Sequence, residues 1–75
     1  MVSELDRMIW LSDALDSGSA RQLLKDRRLS TRAVAREIGV SQPSVWRYLN
    51  RQQFPRRATA LRLVRLLQRL EAPHA

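Results

Sequence analysis

The chain has 75 residues and no cysteine, so no disulfide can staple it and no thiolate can hold a metal. Histidine occurs once, as His74, too little for an imidazole metal site or a nucleophile–base pair. With only two glycines, Gly18 and Gly39, there is no glycine-rich loop to cradle a phosphate. Four aromatic residues, Trp10, Trp46, Tyr48 and Phe54, are too few and too scattered to form the stacking platform that single-stranded RNA needs. The longest apolar run near the N-terminus is Met8 to Leu11, far short of the ~20 residues that span a bilayer or of a signal-peptide core. These absences argue against an enzyme. They predict a soluble cytoplasmic protein with no metal, no cofactor, no small-molecule ligand and no membrane partner.

Lysine is nearly missing as well, yet the chain is strongly basic. Fourteen Lys and Arg residues against seven Asp and Glu give a net charge of +7, and Lys25 is the only lysine among the fourteen. The distribution is uneven. Residues 1–19 carry Glu4, Asp6, Asp13 and Asp16 against Arg7, whereas residues 20–75 carry all thirteen other basic residues against three acids. A genome rich in G and C can account for single arginines, but not for this asymmetry. It predicts a body that binds a polyanion, with an acidic N-terminal extension.

The pattern of that body centres on Thr31 to Asn50. Val34, Ala35 and Ile38, then Val45, Tyr48 and Leu49, recur at the three-and-four spacing of helices with one inward face. Gly39 between them suits a helix end that needs positive φ, and Ser41 can cap the helix that follows. Two short helices joined by such a turn make a helix-turn-helix. The spacing of Ala35, Gly39 and Val45, with Val34, Ile38, Val40 and Tyr48 around them, resembles the lambda-repressor/Cro (xenobiotic-response-element type) helix-turn-helix family. An upstream helix ending at Leu29-Ser30 and the Phe54-Pro55 step into a leucine-rich helix extend the resemblance over roughly residues 19 to 70. The chain departs from the family at Arg51, where a glycine often follows the second motif helix.

The fold implied is all-α, a compact bundle of about five helices with a central helix-turn-helix, lambda-repressor-like. Three parts are expected: residues 1–18 as an acidic helical extension packed on the domain, 19–71 as the DNA-binding domain, and 72–75 as a tail with an inert His74. Met1 and Val2 should fray. Ser3 and Asp6 form a capping-box pair for a helix from about Glu4 to Asp16, ended by Ser17-Gly18. Its wheel places Leu5, Met8, Ile9, Leu11 and Leu15 inward and Trp10 away from them, either across a neighbouring helix or in a dimer contact. Ser19 should cap a helix from Ala20 to Arg28 with Leu23 and Leu24 inward and a basic outer face of Arg21, Lys25, Arg27 and Arg28. Ser30 should cap the first motif helix, Thr31 to Ile38, and the second should run from Gln42 to about Arg51. Phe54 is expected to plug the core, with Pro55 fixing the start of a last helix from about Arg57 to Glu71, before Pro73. That helix has an apolar arc of about 220°, which requires two partners: the motif, and either the N-terminal helix or a second subunit. Leu61 and Leu66 on this arc, with Trp10, are the candidate dimer contacts.

On the second motif helix Gln42, Pro43, Ser44, Trp46 and Arg47 should face outward, and their chemistry suits base edges in a major groove. Arg47 can hold guanine O6 and N7, Gln42 can hold adenine N6 and N7, Ser44 can donate or accept, and Pro43 offers apolar contact. Trp46 either packs on DNA, the favoured reading, or folds back toward Phe54. The resemblance implies phosphate contacts for Thr31 and Arg32 at the helix opening and for the loop residues Asn50, Arg51, Arg56 and Arg57, with Arg36 and the capping Ser41 beside them. The function expected is a small sequence-specific regulator of transcription, a Cro-like phage or plasmid repressor that binds double-stranded DNA as a homodimer on a near-palindromic site and associates with the nucleoid. An excisionase-like or architectural DNA-binding accessory protein and an antitoxin-like protein-interaction module are the alternatives.

Overall fold

Ser3 opens the first helix with both halves of a capping box, its hydroxyl accepting from Asp6 N at 3.1 Å while its own N–H donates to Asp6 Oδ2 at 3.3 Å. The structure, a computed structural model, describes residues 3–72; the fraying expected of Met1 and Val2, the place of Pro73 and the tail around His74 lie outside them. Five helices follow one another: α1 (Glu4–Ser17), α2 (Ser19–Asp26), α3 (Thr31–Ile38), α4 (Gln42–Leu49) and α5 (Arg57–Glu71). No strand occurs among the described residues, so the fold is all-α as expected.

One apolar core joins all five helices. Leu11, Val34, Ile38, Val45, Leu63, Val64 and Leu67 are its most deeply buried side chains. Helix α5 runs through it, packed against α1, α2 and α3. Most of its wide apolar arc is used inside the chain: Ala60, Leu63, Val64, Leu66 and Leu67 are buried and Leu70 is half-buried against the core, which leaves Leu61 half-buried at the edge of the arc. Leu66 therefore cannot be a surface dimer contact, because α5 needs it for the core, where it is 5% exposed.

The expected inward face of α1 is also corrected. The buried seam is Leu11, Ala14 and Leu15, while Leu5 is 68% and Ile9 52% exposed. At ~100° per residue Ile9 lies on nearly the opposite side from Leu11, and Trp10 falls beside Ala14, one turn away. Trp10 is accordingly half-buried against the core and does not point away from it.

Among the described residues four chain reversals use left-handed backbone, and two of them are at glycine. Gly18 at φ 81 ends α1 and Gly39 at φ 76 ends α3, whereas Arg28 at φ 57 and Arg51 at φ 60 follow α2 and α4. Each arginine closes its helix in the same way: Leu29 N donates to Leu24 O at 2.9 Å, and Gln52 N to Arg47 O at 2.8 Å. Both helices thus stop two residues before the expected Arg28 and Arg51. The early turn at Arg51 leaves Phe54 47% exposed, and the buried position falls to Pro55 instead. The cap of α2 differs too. Gly18 occupies the N-cap position, while Ser19 is the first helical residue and its hydroxyl donates to Ala14 O at 3.4 Å.

At Gly39 the turn has little room for a side chain. A Cβ there would lie 3.1 Å from Arg62 Nη1, the group that donates to Ile38 O at 3.4 Å and ties α5 to the turn. Gly39→Ala should cost about 1–2 kcal/mol from the left-handed backbone alone. For a chain of this size that lowers the melting temperature by roughly 4–16 °C in a thermal scan followed by circular dichroism.

Candidate nucleic-acid interface

Ser41 caps α4 by accepting from Ser44 N at 3.3 Å, and Pro43 fits the first turn because the missing N–H has no helical partner there. Val45 and Tyr48 hold the inner side of α4 in the core. Gln42, Pro43, Trp46 and Arg47 are consequently exposed, with Trp46 leaving 51% of its surface free rather than tucked under the loop. Ser44 is half-buried and its hydroxyl lies 2.8 Å from that of Ser41, so it is spent on the cap.

The two motif helices meet at their N-termini. Gln42 Nε2 donates to Thr31 Oγ1 at 3.0 Å, bringing the opening turns of α3 and α4 side by side. Both ends carry unpaired backbone N–H groups and the positive pole of the helix dipole. The second Nε2 hydrogen and Oε1 of Gln42 stay free, the donor–acceptor pair that an adenine edge requires.

The other end of α4 is held by Arg21, from the basic outer face of α2. Arg21 Nη2 donates to Leu49 O at 3.2 Å and to Asn50 Oδ1 at 2.7 Å, and Asn50 Nδ2 donates to Trp46 O at 2.8 Å. A cation at the last carbonyls satisfies acceptors that the helix itself cannot. Asn50 is thereby a helix-end tie. Only the tertiary fold brings these residues together, across 29 positions of sequence.

The arginines fall into two groups. Arg32, Arg36, Arg47 and Arg56 are exposed, and none of their guanidinium groups has a protein hydrogen bond or ion pair among the described residues. Arg51 and Arg57 are paired: Arg51 Nε with Asp16 Oδ1 at 2.8 Å, and Arg57 Nε with Glu4 Oε2 at 2.8 Å. No linear pattern announces these pairs. Glu37 is the only acid on α3 or α4, and it is neutralised by Arg69 at 2.8 Å. The outward side of the motif thus presents amide, indole and guanidinium groups with no unpaired carboxylate between them.

Among the described residues no group of three or more His, Cys, Asp or Glu side chains could hold a metal, and no helix is long and apolar enough to cross a membrane. A family of known proteins described as helix-turn-helix domain matches residues 19–75. Neither the curated proteins nor the solved structures give a significant match.

Proposed function

Because the chain belongs to the helix-turn-helix domain family over residues 19–75, the family being one of DNA-binding modules, we propose that it is a Cro-like, sequence-specific regulator that reads the major groove of double-stranded DNA with α4. The observation that carries this reading is the free outer side of α4: Gln42, Trp46 and Arg47 are exposed on a helix whose other side is locked in the core. Arg47 suits guanine, Gln42 suits adenine, and Pro43 and Trp46 offer apolar contact to thymine methyls or sugars. Ser44, engaged with Ser41, reaches a base only by leaving its cap.

Thr31, Ser41 and the free Arg32, Arg36 and Arg56 supply the surrounding phosphate contacts, with Asn50, Arg51 and Arg57 flanking them along the loop. The mode of action is steric: occupation of an operator excludes polymerase or a rival regulator. A homodimer places two copies of α4 ~34 Å apart on a near-palindromic site. Trp10 and Leu61, both half-buried, remain the candidate contacts of that dimer now that Leu66 is internal. The setting for such activity is the nucleoid of a bacterial or phage-infected cell.

In vitro selection from a random duplex pool, repeated at two salt concentrations, tests the reading. A palindromic consensus and an affinity that falls steeply with salt are expected. Failure of the pure protein to retard any duplex in dilute buffer overturns it.

A further inference from the structure

Both acids that hold Arg51 and Arg57 come from α1. Glu4 and Asp16 lie twelve residues apart, about 18 Å along a helix at ~1.5 Å per residue. Their partners, Arg57 and Arg51, stand at the two ends of the segment that joins α4 to α5. A rod with a carboxylate near each end therefore spans the loop and grips it at both sides. The remaining acids of α1 do something else: Asp6 closes the capping box, and Asp13 is exposed, its carboxylate with no hydrogen bond or ion pair among the described residues.

Neither pair is built to be permanent. Arg51 and Asp16 keep 60% and 52% of their side-chain surfaces exposed, and Arg57 and Glu4 keep 77% and 42%. Ion pairs this wet contribute little to stability and exchange readily for another anion. Resting on the DNA-binding reading above, we infer that α1 is an intramolecular stand-in for a phosphate backbone, holding Arg51 and Arg57 until the phosphates of a duplex displace its carboxylates. Displacement leaves Asp16 and Glu4 beside the duplex, where each retains a cation. The acidic helix thus lowers both the affinity for DNA and the net number of counterions released on binding.

The test compares the full chain with Asp16→Asn, Glu4→Gln, the double variant and Asp13→Asn, which changes the net charge by as much as either single latch variant, and by half as much as the double, without facing an arginine. Binding to the selected operator is measured by fluorescence anisotropy across a salt series, and folding by circular dichroism. The double variant should bind about three- to tenfold more tightly in ~0.1 M salt, with Asp13→Asn moving less than about twofold. Its plot of log affinity against log salt should steepen by up to about 1.8, some 0.9 for each arginine released. Equal effects from Asp13→Asn and the latch variants would reduce the mechanism to net charge and overturn it. Weaker binding by the latch variants would overturn it as well, since the acids would then be orienting the arginines for DNA. If the unaltered chain binds no duplex, the DNA-binding reading falls first and the latch with it.

Discussion

Replacing Leu11 with alanine should lower the unfolding free energy by about 2–5 kcal/mol, the range for a leucine deleted from a close-packed core. Leu11 is 0% exposed and shares the core with Val34, Leu63 and Leu67. A 75-residue chain has a total stability of roughly 4–11 kcal/mol on the usual per-residue scale, so one such cavity removes a large share of it. The measurement is urea unfolding followed by circular dichroism, with Ile9→Ala as the paired control. Ile9 stands on the same helix but is 52% exposed, and its loss should stay within about 0.5 kcal/mol. A loss below ~1 kcal/mol for Leu11→Ala would show α1 to be detachable. The expected result has a consequence for the extent of the folding unit. The family match begins at residue 19, yet Leu11, Ala14 and Leu15 before it are buried in the core that the matched residues form.

The motif was legible in the sequence because its rules are local. Ser30 and Ser41 as caps, Gly39 as a turn and the inward Val34, Ile38, Val45 and Tyr48 all follow from neighbours three or four residues away, and the structure has each of them. The ends of α2 and α4 were not legible. Glycine advertises a left-handed residue, but arginine at φ 57 or φ 60 does not, so the local pattern carries both helices on through Arg28 and Arg51. Only the glycine that the resembling family often has at the position of Arg51 points to a turn there. The turn at Arg51 then propagates to Phe54, whose exposure could not be read without knowing where α4 stops. Along α1 the pattern is ambiguous for another reason: a helix with apolar residues on several sides has more than one plausible seam, and only packing on α2 and α5 selects Leu11, Ala14 and Leu15. The charge asymmetry was visible at once. Its placement was not, because the pairing of Glu4 with Arg57 joins residues 53 positions apart.

Arg47→Ala should weaken binding to the selected operator by about 1–3 kcal/mol, some five- to 150-fold, and relax the preference at one base pair. The argument rests on geometry and on what the side chain lacks. Arg47 is exposed in the last turn of α4, and its guanidinium has no protein hydrogen bond or ion pair among the described residues, so both donors needed for guanine O6 and N7 are available. Arg32, at the opening of α3, is equally free but sits where a helix N-terminus favours a phosphate. Arg32→Ala should therefore weaken operator and random duplexes alike and reduce the salt slope by about 1. Titrating both variants against both duplexes separates reading from gripping, because base contacts alter the ratio of the two affinities while phosphate contacts leave it unchanged. Equal losses on operator and random DNA for Arg47→Ala would take the base-reading role from that residue and leave Gln42, already steadied by Thr31, as the principal polar reader on α4.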